Sequence, residues 1–97
     1  MRADYDSEAD TIQIELTETL RLDYGEDVEG GAVIVSFCED HPVMVDVIGT
    51  DLDIERPLIV AAERYGLDAE ALIAAAQAAR AAPDRAVNVD VGRRAAA

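Results

Sequence analysis

Residues 5–16, YDSEADTIQIEL, decide the fold of this chain. A short strand runs into a tight acidic turn, and the strand after the turn alternates Ile12, Ile14 and Leu16 with polar residues. Alternation with a period of two is typical of a strand that buries one face. The stretch therefore predicts two opening strands joined by a turn.

Three further strands are predicted in the first half of the chain. Leu20, Leu22 and Tyr24 share one parity, and residues 32–38 and 43–48 are rich in Val and Ile. Residues 17–19 form either a bend or a short connection. The glycine-rich, acidic residues 25–31 predict a loop. Short links between five strands predict an antiparallel β-meander over residues 2–50.

The second half changes to helical patterning. Residues 58–65 predict a helix with Pro57 in its first turn and Gly66 as its stop. Asp68 is the predicted N-cap of a second helix over residues 69–82. The predicted fold class is α+β in a single domain over residues 1–97, and its parts are the meander (2–50), an α-hairpin packed on the sheet (53–82), a final strand (85–91) and a frayed tail (92–97).

Residues 5–10, Tyr-Asp-Ser-Glu-Ala-Asp, together with the strand that follows, resemble the opening of domain-of-unknown-function family 2283, a family of small prokaryotic proteins. Its members typically start with Tyr-Asp-x-Glu-Ala-Asp. The resemblance covers roughly residues 2–50 and implies the meander, but no activity. Members often carry Asp-x-x-Gly before the fifth strand, where this chain has residues 39–42, Glu-Asp-His-Pro. The missing Gly predicts a different turn geometry, because Gly would supply a positive φ.

The net charge of −13 comes from 21 acidic residues against 8 Arg. Such acidity opposes binding to nucleic acid and to anionic membranes, and it favours solubility and association with basic protein surfaces. The chain has no apolar signal segment at its start and no apolar run near the ~20 residues of a membrane span. These features predict a cytoplasmic protein with no nucleic-acid or membrane partner. The single cysteine, Cys38, excludes an internal disulfide.

Two acidic clusters have alternative interpretations. The first cluster consists of Asp4, Asp6, Glu8 and Asp10. It could bind a divalent metal or supply a carboxylate pair. The favoured interpretation is an Asx turn, in which Asp6 and Asp10 accept hydrogen bonds from backbone N–H groups. The second cluster consists of Asp51, Asp53 and Glu55. These acids alternate as in a calcium loop, but the central Gly and the distal Glu of such a loop are missing. The favoured interpretation is that they place negative charge at the N-terminus of a helix.

No catalytic or cofactor site is predicted. Cys38 and His41 are spaced as a conceivable nucleophilic pair, but no orienting third group or oxyanion device is recognisable. Zinc would need more ligands than these two. Gly30 and Gly31 lack the Lys and following helix of a phosphate loop. The prediction is that the chain is not an enzyme and holds no metal.

The predicted functional surface lies on two strands that are apolar on both faces. Val33, Val35 and Phe37 share one face of their strand, whereas Ile34 lies on the other. In the next strand, Met44 and Ile48 lie opposite the valines. Either the helices cover one face while the sheet curls to bury the other, or one face meets a second subunit. Subunit burial is favoured, with Ile34, Met44 and Ile48 at the interface.

These features predict a small cytoplasmic, homodimeric, acidic protein that acts by protein binding or self-assembly. A narrower alternative is an antitoxin-like partner that neutralises a basic, RNA-cleaving toxin, because charge complementarity speeds association. A third alternative, which is not favoured, is an enzyme or a binder of small ligands or divalent metals, built on His41, the acids and the tyrosines Tyr5, Tyr24 and Tyr65.

Overall fold

The computed structural model describes residues 1–18, 21–49 and 53–89. Its elements are β1 (Arg2–Asp6), β2 (Thr11–Glu15), β3 (Tyr24–Val28), β4 (Val33–Cys38), β5 (His41–Ile48), α1 (Glu55–Tyr65), α2 (Ala69–Ala81) and β6 (Ala86–Asn88). The predicted α+β class is confirmed: one antiparallel sheet carries a helical pair and ends with a C-terminal strand. Leu20, Asp51 and the predicted tail lie outside the described residues.

The strands form one six-stranded sheet in the order β3-β4-β5-β2-β1-β6. β1 pairs with β2, β3 pairs with β4, and β4 pairs with β5, so these strands pair with their neighbours in the chain. The two groups, β1–β2 and β3–β4–β5, are joined where β2 pairs with β5, opposing Ile12 to Val47 and Ile14 to Val45. The edges of the sheet are therefore β3 and β6.

Both helices lie on one face of this sheet. Residues from the two helices and from that face share one hydrophobic core, in which Val33, Val35 and Val45 have no exposed surface. Leu58 of α1 and Leu72 of α2 are buried against the strands. Because α2 presents mostly alanines, its backbone can approach β1 and β2 closely.

The ends of the helices follow from local chemistry. The Asp68 carboxylate accepts a hydrogen bond from the Ala71 N–H at 3.1 Å, which confirms the predicted N-cap. Gly66 ends α1 with a left-handed φ of 69°. The Asp53 carboxylate accepts a hydrogen bond from the Glu55 N–H at 2.9 Å just before α1, whose N-cap residue, Ile54, has no side-chain cap.

The prediction of a loop over residues 25–31 is wrong at its start, because β3 occupies Tyr24–Val28. Val28 is fully buried and pairs with Val33, which anchors this strand despite its acids. Glu26 lies on the helix side, where its carboxylate accepts the Tyr65 hydroxyl at 2.7 Å. An edge strand tolerates charged residues that a central strand would not.

The turn between β4 and β5 is shorter than the predicted residues 39–42, because β5 already begins at His41. Glu39 and Asp40 both adopt positive φ, 52° and 66°, although neither is Gly. A two-residue hairpin requires this conformation, because its twist matches that of the flanking strands. Side chains outside the turn hold it: Asp23 accepts the Glu39 N–H at 2.7 Å, and Asp40 accepts the Tyr24 hydroxyl at 2.9 Å.

The final strand returns to the sheet as predicted. Ala86–Asn88 pairs antiparallel with β1, opposing Val87 to Ala3. The Val89 N–H extends this pairing with a hydrogen bond to the Met1 carbonyl at 2.8 Å. Residues 90–97 are not among those described.

Candidate functional site

The candidate site is the face of the sheet opposite the helices, which we call the open face. Strand alternation places on it the residues that neighbour the core positions, from β1 through β3. Within the described parts of the chain, no element covers this face. Its residues are Arg2, Asp4, Asp6, Thr11, Gln13, Glu15, Gly25, Asp27, Ile34, Ser36, Cys38, Met44, Asp46 and Ile48.

The structure brings the three predicted interface residues together on the open face. Ile34 and Met44 are half-buried, and Ile48 keeps 45% of its surface exposed. Met44 and Ile48 project from β5, and Ile34 projects from the neighbouring strand β4. They are thus surface residues of the described chain, whereas Val33, Val35 and Val45 on the opposite face supply its core.

Asp46 lies at the centre of this apolar group. It occupies β5 midway between Met44 and Ile48, two residues from each and on the same side of the strand. It pairs directly with Ile34 on β4 and with Gln13 on β2. Residues opposite one another in an antiparallel pair have Cβ atoms about 5 Å apart. Asp46 is therefore surrounded by three apolar side chains and one amide.

Burial among these neighbours raises the pKa of the Asp46 carboxyl above its usual value. The nearby negative charge of Asp4 also raises the pKa, whereas a hydrogen bond from the Gln13 side chain lowers it. The first of these effects is the largest, so removal from water outweighs the single hydrogen bond. The open face thus holds a carboxylate whose charge is incompletely compensated.

The charges around Asp46 have mainly one sign. The central cross-strand row runs Asp4, Gln13, Asp46, Ile34 and Asp27 across five strands. In the next row, Arg2 lies 3.7 Å from Glu15, an exposed pair of small energetic value. Among the described strand residues of the open face, Arg2 is the one basic side chain. The face therefore has a negative potential around an apolar centre.

The acidic turn between β1 and β2 has a structural role. Asp6 accepts hydrogen bonds from the Glu8 and Ala9 N–H groups at 3.0 and 3.1 Å, which confirms the Asx-turn interpretation for this residue. Asp10 accepts the Tyr5 hydroxyl at 2.8 Å. In the described residues, no group of three or more His, Cys, Asp or Glu side chains is arranged to hold a metal ion.

The tyrosines proposed as ligand contacts do not converge. Tyr24 stacks on Phe37 with ring centroids 4.9 Å apart, and Tyr65 meets the same ring edge-on at 5.2 Å. Tyr5 lies on β1 instead. Each of the three hydroxyls donates to a carboxylate, namely Asp10, Asp40 or Glu26. These hydrogen bonds link elements of the fold.

Cys38 and His41 face each other as the last pair of the β4–β5 hairpin. The Cys38 side chain is half-buried and close to Arg21, and His41 is exposed. Among the described residues, no carboxylate is hydrogen-bonded to the His41 ring to orient it. The pair therefore has the spacing of a nucleophile and base without the group that would align them.

Comparison of the chain with protein-family models, with curated proteins and with solved structures finds no match. The resemblance of residues 5–16 to the uncharacterised family therefore stays a prediction. No helix in the described residues combines the length and apolar character needed to cross a bilayer.

Sequence reasoning missed Asp46 and Gln13 as members of the site. A local signal existed, because alternation along VMVDVI places Asp46 on the same side of its strand as Met44 and Ile48. The position of Gln13 depends on the pairing of β2 with β5, and no pattern within either strand specifies that pairing.

Proposed function

We propose that this protein acts by binding another protein through the open face of its sheet, without catalysing a reaction. One observation carries the proposal: the helices cover one face, and the uncovered face has Ile34, Met44 and Ile48 around a half-buried carboxylate. A sheet that serves only to support helices on one side needs polar residues on the other. Apolar residues grouped on such a face are typical of an interaction surface.

The size of the open face indicates a transient complex. Strand spacings of about 4.8 Å and rises of about 3.3 Å per residue give five strands of five residues a flat area of roughly 300–400 Å². A standard stable interface buries about 800 Å² on each partner. We therefore expect weak association, unless the partner also contacts a sheet edge.

Two occupants fit the sequence-based expectations: a second copy of this chain and a basic protein. In a symmetric dimer the same patch meets itself, so the carboxylates of the central row would approach their own copies. Like charges at an interface oppose association. The negative potential of the open face thus favours a basic protein. The homodimer and the narrower antitoxin-like role stay predictions.

The proposal is tested by substituting the apolar group of the open face. In the variant Ile34→Ser/Met44→Ser, we expect the fold to persist and partner binding to be lost. The matched control is Leu22→Ser/Ile59→Ser, because both residues are exposed and lie outside the open face, at 48% and 39% exposure. Each tagged full-length chain is used to capture proteins from the source cells at low and high salt, and its mass is measured by sedimentation equilibrium.

Binding or self-association that is lost in the open-face variant and kept in the control would support the proposal. If instead neither is altered while the free energy of unfolding falls by several kcal/mol, Ile34 and Met44 belong to the core, since core truncations cost about 2–5 kcal/mol. That result would refute a binding role for the open face.

A further inference from the structure

We propose that Asp46 is the anchor of the open face and that its partner is a basic protein, which places an arginine side chain against this carboxylate. The inference rests on the proposed function, and it deepens it by stating the chemistry of the partner. Asp46 contacts that side chain directly, while Ile34, Met44 and Ile48 contact apolar groups around it.

The geometry around Asp46 has the pattern of an interface hot spot. Binding energy in protein complexes concentrates in central polar or aromatic anchors that surrounding contacts shield from water. Here the central group is Asp46, and the surrounding residues are Ile34 on one neighbouring strand and Met44 and Ile48 along the same strand. A partner seated on these three side chains would exclude water from the carboxylate.

The described part of the chain leaves Asp46 without a cation. Gln13 supplies a hydrogen bond but no positive charge, and the directly paired Ile34 supplies neither. Arg2 lies on the same face but is associated with Glu15 in the adjoining row. Asp4, on the far side of Gln13, adds a second negative charge. A positive group from outside would satisfy an electrostatic requirement that these neighbours leave unmet.

An arginine fits this position better than a metal ion or a lysine. The residues beside Asp46 are Ile34, Met44, Ile48 and Gln13, which do not provide the several oxygen ligands that divalent ions require. A guanidinium can bind both oxygens of one carboxylate, and it loses less hydration than an ammonium on a partly apolar surface. Its methylene groups can also pack against the surrounding apolar side chains.

The test uses defined probes in place of the unidentified partner. The ¹⁵N-labelled full chain is titrated with a synthetic peptide of alternating arginine and valine, and separately with the same peptide carrying citrulline at every arginine. Citrulline keeps the shape of the side chain but has no charge. Binding is followed by backbone and Gln13 side-chain amide shifts in the wild type, in Asp46→Asn, and in Glu63→Gln. The last variant removes one charge from an exposed position on α1.

We expect the arginine peptide to shift amides of the open face, with the largest changes around residues 13, 34 and 46. Loss of a charge-assisted hydrogen bond should weaken binding about tenfold or more with the citrulline peptide and in Asp46→Asn. Glu63→Gln should change affinity less than about twofold, because its charge lies outside the open face. Equal binding of both peptides would overturn the anchor role, because the positive charge of arginine would then contribute nothing. Equal weakening by both substitutions would overturn it as well, because only the net charge of the chain would then matter.

The same experiment separates failure of the inference from failure of the proposed function. If neither peptide binds but the chain forms an oligomer that Ile34→Ser/Met44→Ser dissociates, the open face binds a second copy and the inference of a basic partner is wrong. If the peptides do not bind and the serine variant changes no association at all, the proposed function fails as well.

Discussion

The two acidic residues of the β4–β5 turn show how side-chain contacts maintain an unfavourable backbone conformation. A left-handed φ costs most L-residues about 1 kcal/mol, and Asn and Asp tolerate it better than Glu. The Glu39 carboxylate lies 3.7 Å from Arg21 in an exposed pair, whereas the Glu39 backbone N–H is held by Asp23. The turn conformation therefore depends on the hydrogen bond between Asp23 and the Glu39 backbone, which a shorter side chain at position 39 would leave intact.

We expect Glu39→Asn to stabilise the protein by about 0.5 kcal/mol, because Asn favours this conformation and the exposed ion pair contributes little. Urea denaturation followed by circular dichroism measures the change. Glu8→Asn, at an exposed position with ordinary φ, should alter stability by less than about 0.5 kcal/mol. A clear loss of stability in Glu39→Asn would show that Arg21 contributes more to the turn than the backbone strain costs.

Asp46 should make the protein less stable as the pH rises. Because burial raises the pKa of this carboxyl in the folded state, the folded chain binds more protons than the unfolded chain between the ordinary pKa of 3.8 and the raised pKa. The destabilisation by the buried carboxylate charge is therefore absent below the ordinary pKa of 3.8 and fully present above the raised pKa. We expect Asp46→Asn to be more stable than the wild type at pH 7 and to lose this advantage near pH 3.

Urea midpoints of both proteins between pH 3 and pH 7 measure this effect. Asp27→Asn is the control, because Asp27 lies exposed at the strand edge of the same row. If Asp46→Asn is less stable at pH 7, the hydrogen bond from Gln13 stabilises the fold more than the buried charge costs. A stabilising Asp46→Asn would instead mark Asp46 as a residue that serves binding at the expense of stability.

At the scale of the elements, α2 depends strongly on its N-cap. The helix is rich in alanine, so its intrinsic propensity is high while each residue buries little apolar area. Asp68 satisfies the Ala71 N–H and places a negative charge near the positive end of the helix dipole. Replacing Asp68 with alanine removes both contributions and leaves the packed face of the helix unchanged.

We expect Asp68→Ala to lower the free energy of unfolding by about 1 kcal/mol, the usual cost of losing such a cap. Asp68→Asn should retain most of the stability, because its side-chain oxygen can still accept the hydrogen bond. Thermal and urea denaturation measure both variants. Equal losses in the two would assign the effect to charge and not to the cap.

The contrast between α2 and β3 shows which elements the sequence predicts. Asp68, the alanine run and Gly66 are local signals, so both helices and the boundary between them follow from the chain alone. In β3 the local signals favour a loop, since Gly25, Glu26 and Asp27 all disfavour strands. The strand forms because Val28 is buried against Val33 and Tyr24 stacks on Phe37, and both contacts are non-local.

The candidate site, like the fold, is predicted from the sequence only where the signals are local. Alternation within single strands identified Ile34, Met44 and Ile48 as residues that lie away from the core valines, and the structure places them on one face that no described element covers. The central position of Asp46 appears only when β5 is placed between β4 and β2. Neighbours across strands thus specify the chemistry of this face.

For the whole molecule, the net charge of −13 predicts a stability that depends on salt. Self-repulsion among acids destabilises a compact chain, and it is screened as the Debye length shortens from roughly 20 Å to roughly 4 Å between about 0.02 and 0.5 M NaCl. We expect the melting temperature to rise by about 5 °C over this range, which corresponds to about 1 kcal/mol for a chain of this size.

Differential scanning calorimetry in NaCl and in KCl measures this rise, and the two salts should agree if screening is responsible. A melting temperature that falls with salt would contradict the prediction, since it would mean that exposed pairs such as Arg2–Glu15 and Arg56–Glu29 outweigh the general repulsion.

The pairing of β1 with β6 also sets an order of events during synthesis. β1 spans Arg2–Asp6 and its outer neighbour β6 spans Ala86–Asn88, so β1 is synthesised well before the strand that pairs with its outer edge. At about 5–20 residues per second, that interval is roughly 4–16 s. Throughout it, β1 presents an unpaired edge, and its short length and the charges of Arg2, Asp4 and Asp6 oppose pairing with other nascent chains. The acidic side chains of β1 would thus oppose aggregation of the chain before folding is complete.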